Sequence, residues 1–256
     1  MDALPTTPPP SRSLGAYVKT VFWLALVAAA MAILTGPGNR LGWWDFGMAF
    51  ALLGLAAIAG GVLSVLAVIA LTWSVRRRHA ACVALSVVAL LAGLLTIGLP
   101  SQLLLRGLSV PAIHDISTDT SDPPKFVALA AFRATVPNGG DYGGPELATL
   151  QREAYPDIKP LTLVVRPEHA LTDCLRVAKA LGWEIVVASQ LDLRIEATDT
   201  TPFFGFKDDI IIRITPAGPA SRIDLRSVSR VGRSDLGANA RRIREFYKLL
   251  SRLQPG

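Results

Sequence analysis

The chain is 256 residues long and 51% hydrophobic, with 26 Lys and Arg against 20 Asp and Glu, a formal charge of +6. Up to Leu105 there are six basic and two acidic residues, so this stretch carries +4; the 20 basic and 18 acidic residues beyond it leave only +2. A nucleic-acid-binding domain concentrates its basic excess in the folded part, which excludes that class of partner.

In chain order, residues 20–39, 46–75 and 80–105 contain no Asp, Glu, Lys or Arg. About 20 apolar residues cross the hydrocarbon core of a bilayer, and a charge at its centre costs roughly 2.5–3.5 kcal/mol. Three such stretches predict a transmembrane anchor over 18–105, with spans near 18–36, 46–73 and 80–103, after a tail of residues 1–17. Arg12 and Lys19 precede the first span, and Arg76, Arg77 and Arg78 fill the turn between the second and third. The connection 36–45 is nearly neutral and carries Trp43 and Trp44. Positive loops stay in the cytoplasm. The N-terminus is therefore expected there, and the C-terminal domain, 106–256, outside it: a multi-pass inner (plasma) membrane protein, with that domain periplasmic in a Gram-negative cell. The alternative for the first stretch is a signal peptide with a small-residue cleavage site at 28–32; the topology after it is the same. No ionisable group within the spans marks a transport path. Ala56, Gly60 and Ser64 form a small-residue face on the second helix, suited to packing among the chain's own helices or against a partner's.

Beyond Arg106, residues 112–125 are turn-rich and broken by Asp122, Pro123 and Pro124. Pro145 can open a short helix over 146–153. A strand at 161–165 is followed by a helix starting at Pro167, with a stripe of Leu171, Cys174, Ala178 and Leu181 and a stop at Gly182. Four strands follow, at 183–189, 192–198, 208–214 and 221–231. Their alternation sends Ile195, Ile210, Ile212, Ile214, Ile223 and Leu225 one way and Glu196, Asp209, Arg213, Asp224 and Arg226 the other. The last helix, 236–253, has a stripe of Ile243, Phe246, Leu250 and Leu253, with Arg241, Arg242, Arg244, Lys248 and Arg252 on its wet side. The fold class is thus membrane-anchored α+β. Three transmembrane helices precede a mostly antiparallel sheet with one solvated face, packed against a C-terminal helix in a helix-grip-like arrangement. Such folds often leave an apolar cavity between helix and sheet.

The motifs IHDISTD (113–119), RIEATDT (194–200), FGFKDD (204–209) and RSVSRVGRSDLGAN (226–239) occur in that order. Together they resemble the bacterial domain-of-unknown-function 1499 family, over residues 112–253. The resemblance implies a domain boundary and fusion to a small membrane anchor, but no activity.

No catalytic template fits: there is no nucleophile elbow, metalloprotease motif, phosphate loop or Cys/His pairing. No metal or cofactor is expected. The two cysteines, Cys82 and Cys174, lie in different phases and form no disulfide, and the three histidines match no zinc spacing. His114 with Asp115 and Asp119 reads as a membrane-proximal lead-in rather than a metal site. Asp208 and Asp209 point to opposite faces of their strand, whereas Asp199 and Asp208 can face each other across the connection 200–207, around a cation or, as the better reading, in a solvated or Lys207-paired turn. Arg226, Arg230 and Arg233 precede Ser234 and Asp235, where the last helix begins. The five form either an anion cradle at a helix N-terminus or a helix cap with ordinary ion pairs. Phe203, Phe204 and Phe206 crowd one hairpin connection, either plugging the end of the sheet or contacting a partner or the bilayer. Three functions remain. One is a non-enzymatic domain binding a lipid or other anionic amphiphile; another is an interaction subunit docking a second membrane protein; the third is an envelope hydrolase using Asp199 or Asp208.

Overall fold

The computed structural model describes residues 12–253, so the first eleven residues of the expected tail lie outside it. The chain separates into two compact units, Met1–Leu105 with Phe203–Gly205, and Arg106–Pro202 with Phe206–Gly256.

The first unit holds α1 (Arg12–Arg40), α2 (Phe46–Arg76) and α3 (Ala80–Ser109). All three are long and apolar enough to cross a membrane. They outrun the predicted spans because each helix continues into its polar flank. Asp45 starts α2 by accepting the Met48 N–H at 2.9 Å. Small residues face inward, among them Ala25 and Ala28 of α1, Ala67 of α2 and Ala89 of α3. Large ones such as Trp23, Ile58, Val65 and Leu95 face outward and are more than half exposed. A water-soluble bundle does the reverse; lipid-facing bundles pack through small residues. A Cβ on Gly60 would lie 2.9 Å from the Gly93 carbonyl oxygen, so the small-residue face of α2 is used within the chain. The hydroxyls of Ser64, Ser86 and Thr96 return to backbone carbonyls four residues back at 2.7–2.8 Å, which satisfies them without water.

The second unit contains β1 (Asp115–Ser117), α4 (Ala130–Arg133), α5 (Gly144–Ala154), β2 (Leu161–Leu163), α6 (Pro167–Ala180), β3 (Glu184–Ser189), β4 (Arg194–Thr200), β5 (Lys207–Ala217), β6 (Ala220–Ser229) and α7 (Ala238–Ser251). The sheet runs β1-β6-β5-β4-β3, antiparallel throughout, and β2 shares with β1 the outer edge of β6. One face carries Ile195, Ile210, Ile212, Ile223 and Leu225, all fully buried against Cys174 of α6 and Ile243, Phe246 and Leu250 of α7. Trp183 stacks on Phe246 with ring centres 5.3 Å apart. Burial lifts the Cys174 thiol far above its ordinary pKa, as suits a small core residue.

Four expectations need correction. The helix–sheet interface is filled by α6 and α7 side chains, which occupy the space foreseen as an apolar cavity. The lead-in 112–125 contains a strand, β1, because its backbone completes the edge of β6. Leu253 falls past the end of α7 and is exposed. The other face of the sheet is not solvated: the segment between β1 and α5 covers it, with Phe126 and Leu129 packed on Ile211 and Val228.

Candidate functional site

Under that cover lies a network of buried ions. Arg226 is 1% exposed and grips Asp115 of β1 with two parallel hydrogen bonds, Nε to Oδ1 at 2.9 Å and Nη2 to Oδ2 at 2.7 Å. Its guanidinium lies between the rings of Phe126 and Tyr142, 5.6 and 5.5 Å from their centres. Asp209 on β5 accepts from Arg133 at 2.7 Å, from Arg230 at 2.8 Å and from Thr198, its cross-strand neighbour, at 2.8 Å. Glu196 accepts the N–H groups of Val127, Ala128 and Leu129 at 2.8–3.0 Å and so pins the cover to β4. Alternation along three adjacent strands stacks these side chains on one face. Covering them removes water, and each ion then requires a partner.

A second group sits at the start of α7. Asp199 and Asp208 are cross-strand neighbours, and a cation does lie between them: the guanidinium of Arg242, at 2.7 and 2.6 Å. Arg242 is therefore not on a wet face; it is 8% exposed, and Nη1 also donates to Asn239 and Ser227. Beside it, Trp183, Asp199, Arg241, Arg242 and Glu245 line a polar cleft of about 170 Å³.

The residues proposed for an anion cradle do not converge. Arg226 and Arg230 are held by Asp115 and Asp209, while Arg233 is exposed and pairs with no carboxylate among the described residues. Ser234 Oγ accepts from Leu236 N at 3.2 Å. Asp235 caps α7, accepting from Gly237 N and Asn239 N at 2.8 Å. Burial raises its carboxyl pKa, although those two N–H groups pull the other way. His114, Asp115 and Asp119 do not form a metal cluster, since Asp115 holds Arg226 and Asp119 holds Arg222. Phe203–Gly205 groups with the first unit, where Phe204 is buried with its ring stacked on Phe50 and its carbonyl accepts from Asn39 at 2.7 Å. Phe203 is half-buried, and Phe206 closes the turn through Thr201.

A cleft that the sequence reading missed lies between α5 and the turn after β1. It has a volume of about 330 Å³ and is lined by Thr120, Ser121, Tyr142, Thr149 and Arg152 among others. Nothing in the spacing of these residues signals it, because two separate loops and a helix build it.

The family model described as "protein of unknown function (DUF1499)" matches residues 115–250, more than half of the chain. The chain belongs to the DUF1499 family. No curated protein matches it. The DUF1499 region opens at Asp115 and closes at Leu250 of α7, so α1, α2 and α3 lie outside it and the sheet, the ion network and both clefts inside. The four motifs that carry the resemblance supply most of these residues, namely Asp115; Glu196 and Asp199; Asp208 and Asp209; Arg226, Arg230, Asp235 and Asn239, while Arg133 and Arg242 lie outside them.

Proposed function

We propose that this DUF1499 protein is a non-enzymatic binding module held in a membrane by α1, α2 and α3, with its folded domain on the extracytoplasmic side of the inner membrane. The observation that supports it best is the use made of the carboxylates on the sheet. Asp115, Asp199, Asp208 and Asp209 each face a guanidinium at 2.6–2.9 Å, and Glu196 is taken up by three backbone N–H groups. A general acid or base needs a carboxyl free to exchange a proton with substrate, and these groups are fixed as structural ions. The positive turn at Arg76, Arg77 and Arg78 supports the orientation. A filled helix–sheet interface favours a ligand at the surface over an amphiphile in the core.

Native mass spectrometry of the full chain released from detergent tests this reading. A retained species, chemically unchanged after denaturation, is expected. Conversion of such a species to a product, lost in Asp199→Asn or Asp208→Asn, would contradict it.

A further inference from the structure

Arg152 is placed differently from the arginines of the network. It is exposed, its Nη1 and Nη2 donate to the hydroxyls of Thr120 and Thr149 at 3.1 and 3.3 Å, and it pairs with no carboxylate among the described residues. A guanidinium has five N–H donors, so most of its capacity is unspent. Its position is fixed from behind. The preceding residue, Gln151, is buried and bonds both backbone groups of Ser117, Oε1 accepting from N at 2.9 Å and Nε2 donating to O at 2.7 Å. The acids beside the cleft do not compete for it, because Asp119 is held by Arg222 and Asp122 by Arg213. Burial, Coulombic repulsion from Asp115 and the weaker opposing pull of Arg226 leave the Tyr142 phenol pKa pushed up to about 12, and its buried hydroxyl has no hydrogen-bond partner.

Together these features give a cleft of about 330 Å³ with an uncompensated cation, flanking hydroxyls, and an apolar wall formed by Ala148 and the Tyr142 ring. That volume lies at the small end of ligand sites, roughly 300–1,000 Å³. We infer that this cleft binds the oxyanion of a small molecule or lipid headgroup, with Arg152 gripping the charge and Thr120, Ser121 and Thr149 ordering it. The inference rests on the reading of the domain as a binding module.

The test uses the full chain in phosphatidylcholine nanodiscs, titrated with inorganic phosphate or citrate, and a parallel sample in discs containing phosphatidylglycerol. Binding is read as hydrogen-exchange protection of residues 118–124 and 144–152. Saturable protection is expected from at least one probe; a response to the soluble anions indicates a free molecule, and a response to phosphatidylglycerol alone a headgroup. Arg152→Gln is expected to weaken the binding about tenfold or more, as loss of a charged hydrogen-bond donor does. Thr120→Val, which leaves the charge in place, should weaken it by about threefold. Arg176→Gln, on the exposed face of α6, should leave it unchanged. Equal binding by Arg152→Gln, or no protection from any probe, overturns this site. A species found bound by mass spectrometry but insensitive to Arg152→Gln would leave the binding module standing with its site elsewhere.

Discussion

Asp209 is fully buried and answers two guanidiniums, one of them the fully buried Arg133. Removing one partner of a buried pair leaves the other charge uncompensated and costs about 3–5 kcal/mol. Asp209→Ala is therefore expected to destabilise the domain by about that much, measured as loss of hydrogen-exchange protection in β5 and β6 under urea. Arg244 and Asp157 form an equally short pair, but the two are about half exposed, and Arg244→Ala should cost under about 1 kcal/mol. At Asp119, burial raises the carboxyl pKa. The N–H groups of Asp122 and Ser121, then Arg222 and Arg213, outweigh it and hold the carboxyl below its ordinary pKa. A depressed carboxyl stabilises the fold above its unfolded pKa, and that contribution is lost as pH falls through the folded value. Protection of 118–124 is therefore expected to weaken as pH falls below the ordinary carboxylate range. Little of this network was legible in the sequence. Alternation placed Glu196, Asp209 and Arg226 on one face, but a charged face reads as solvated until something is known to cover it. The available hint was the apolar run FVALAAF at 126–132, which includes Phe126 and Leu129 and needs something to pack on.

Elements with a strong period were legible: β4, β5, β6, α6 and α7 lie within a few residues of where alternation and apolar stripes put them. Those without a period were not. β1 has three residues and exists because β6 offers an edge, and α4 is a single turn held by a side chain from β4. Where the stripe is clear its energetics follow. Phe246 is fully buried against Trp183, and Phe246→Ala should cost about 3–5 kcal/mol. Within the first unit, Gly60→Leu places a side chain where a Cβ alone would meet the Gly93 carbonyl at 2.9 Å. That backbone must move apart, so a disulfide engineered between α2 and α3 near these positions should form in the parent and fail in Gly60→Leu.

At the scale of the whole molecule, membrane anchoring was the most legible feature, because it depends on composition over long stretches rather than on tertiary contacts. The outward-facing Ile, Leu and Val of the three helices support the same reading, since water would expel them. The cleft lined by Thr120 and Arg152 was the least legible, being assembled from a helix and loops whose approach no period encodes. The central claim is a binding domain held outside the cytoplasm by three spans. A reporter active only outside the cytoplasm, placed at Arg78 or after Gly256, tests it most directly. Activity after Gly256 and silence at Arg78 is the result expected; the reverse pattern would contradict it.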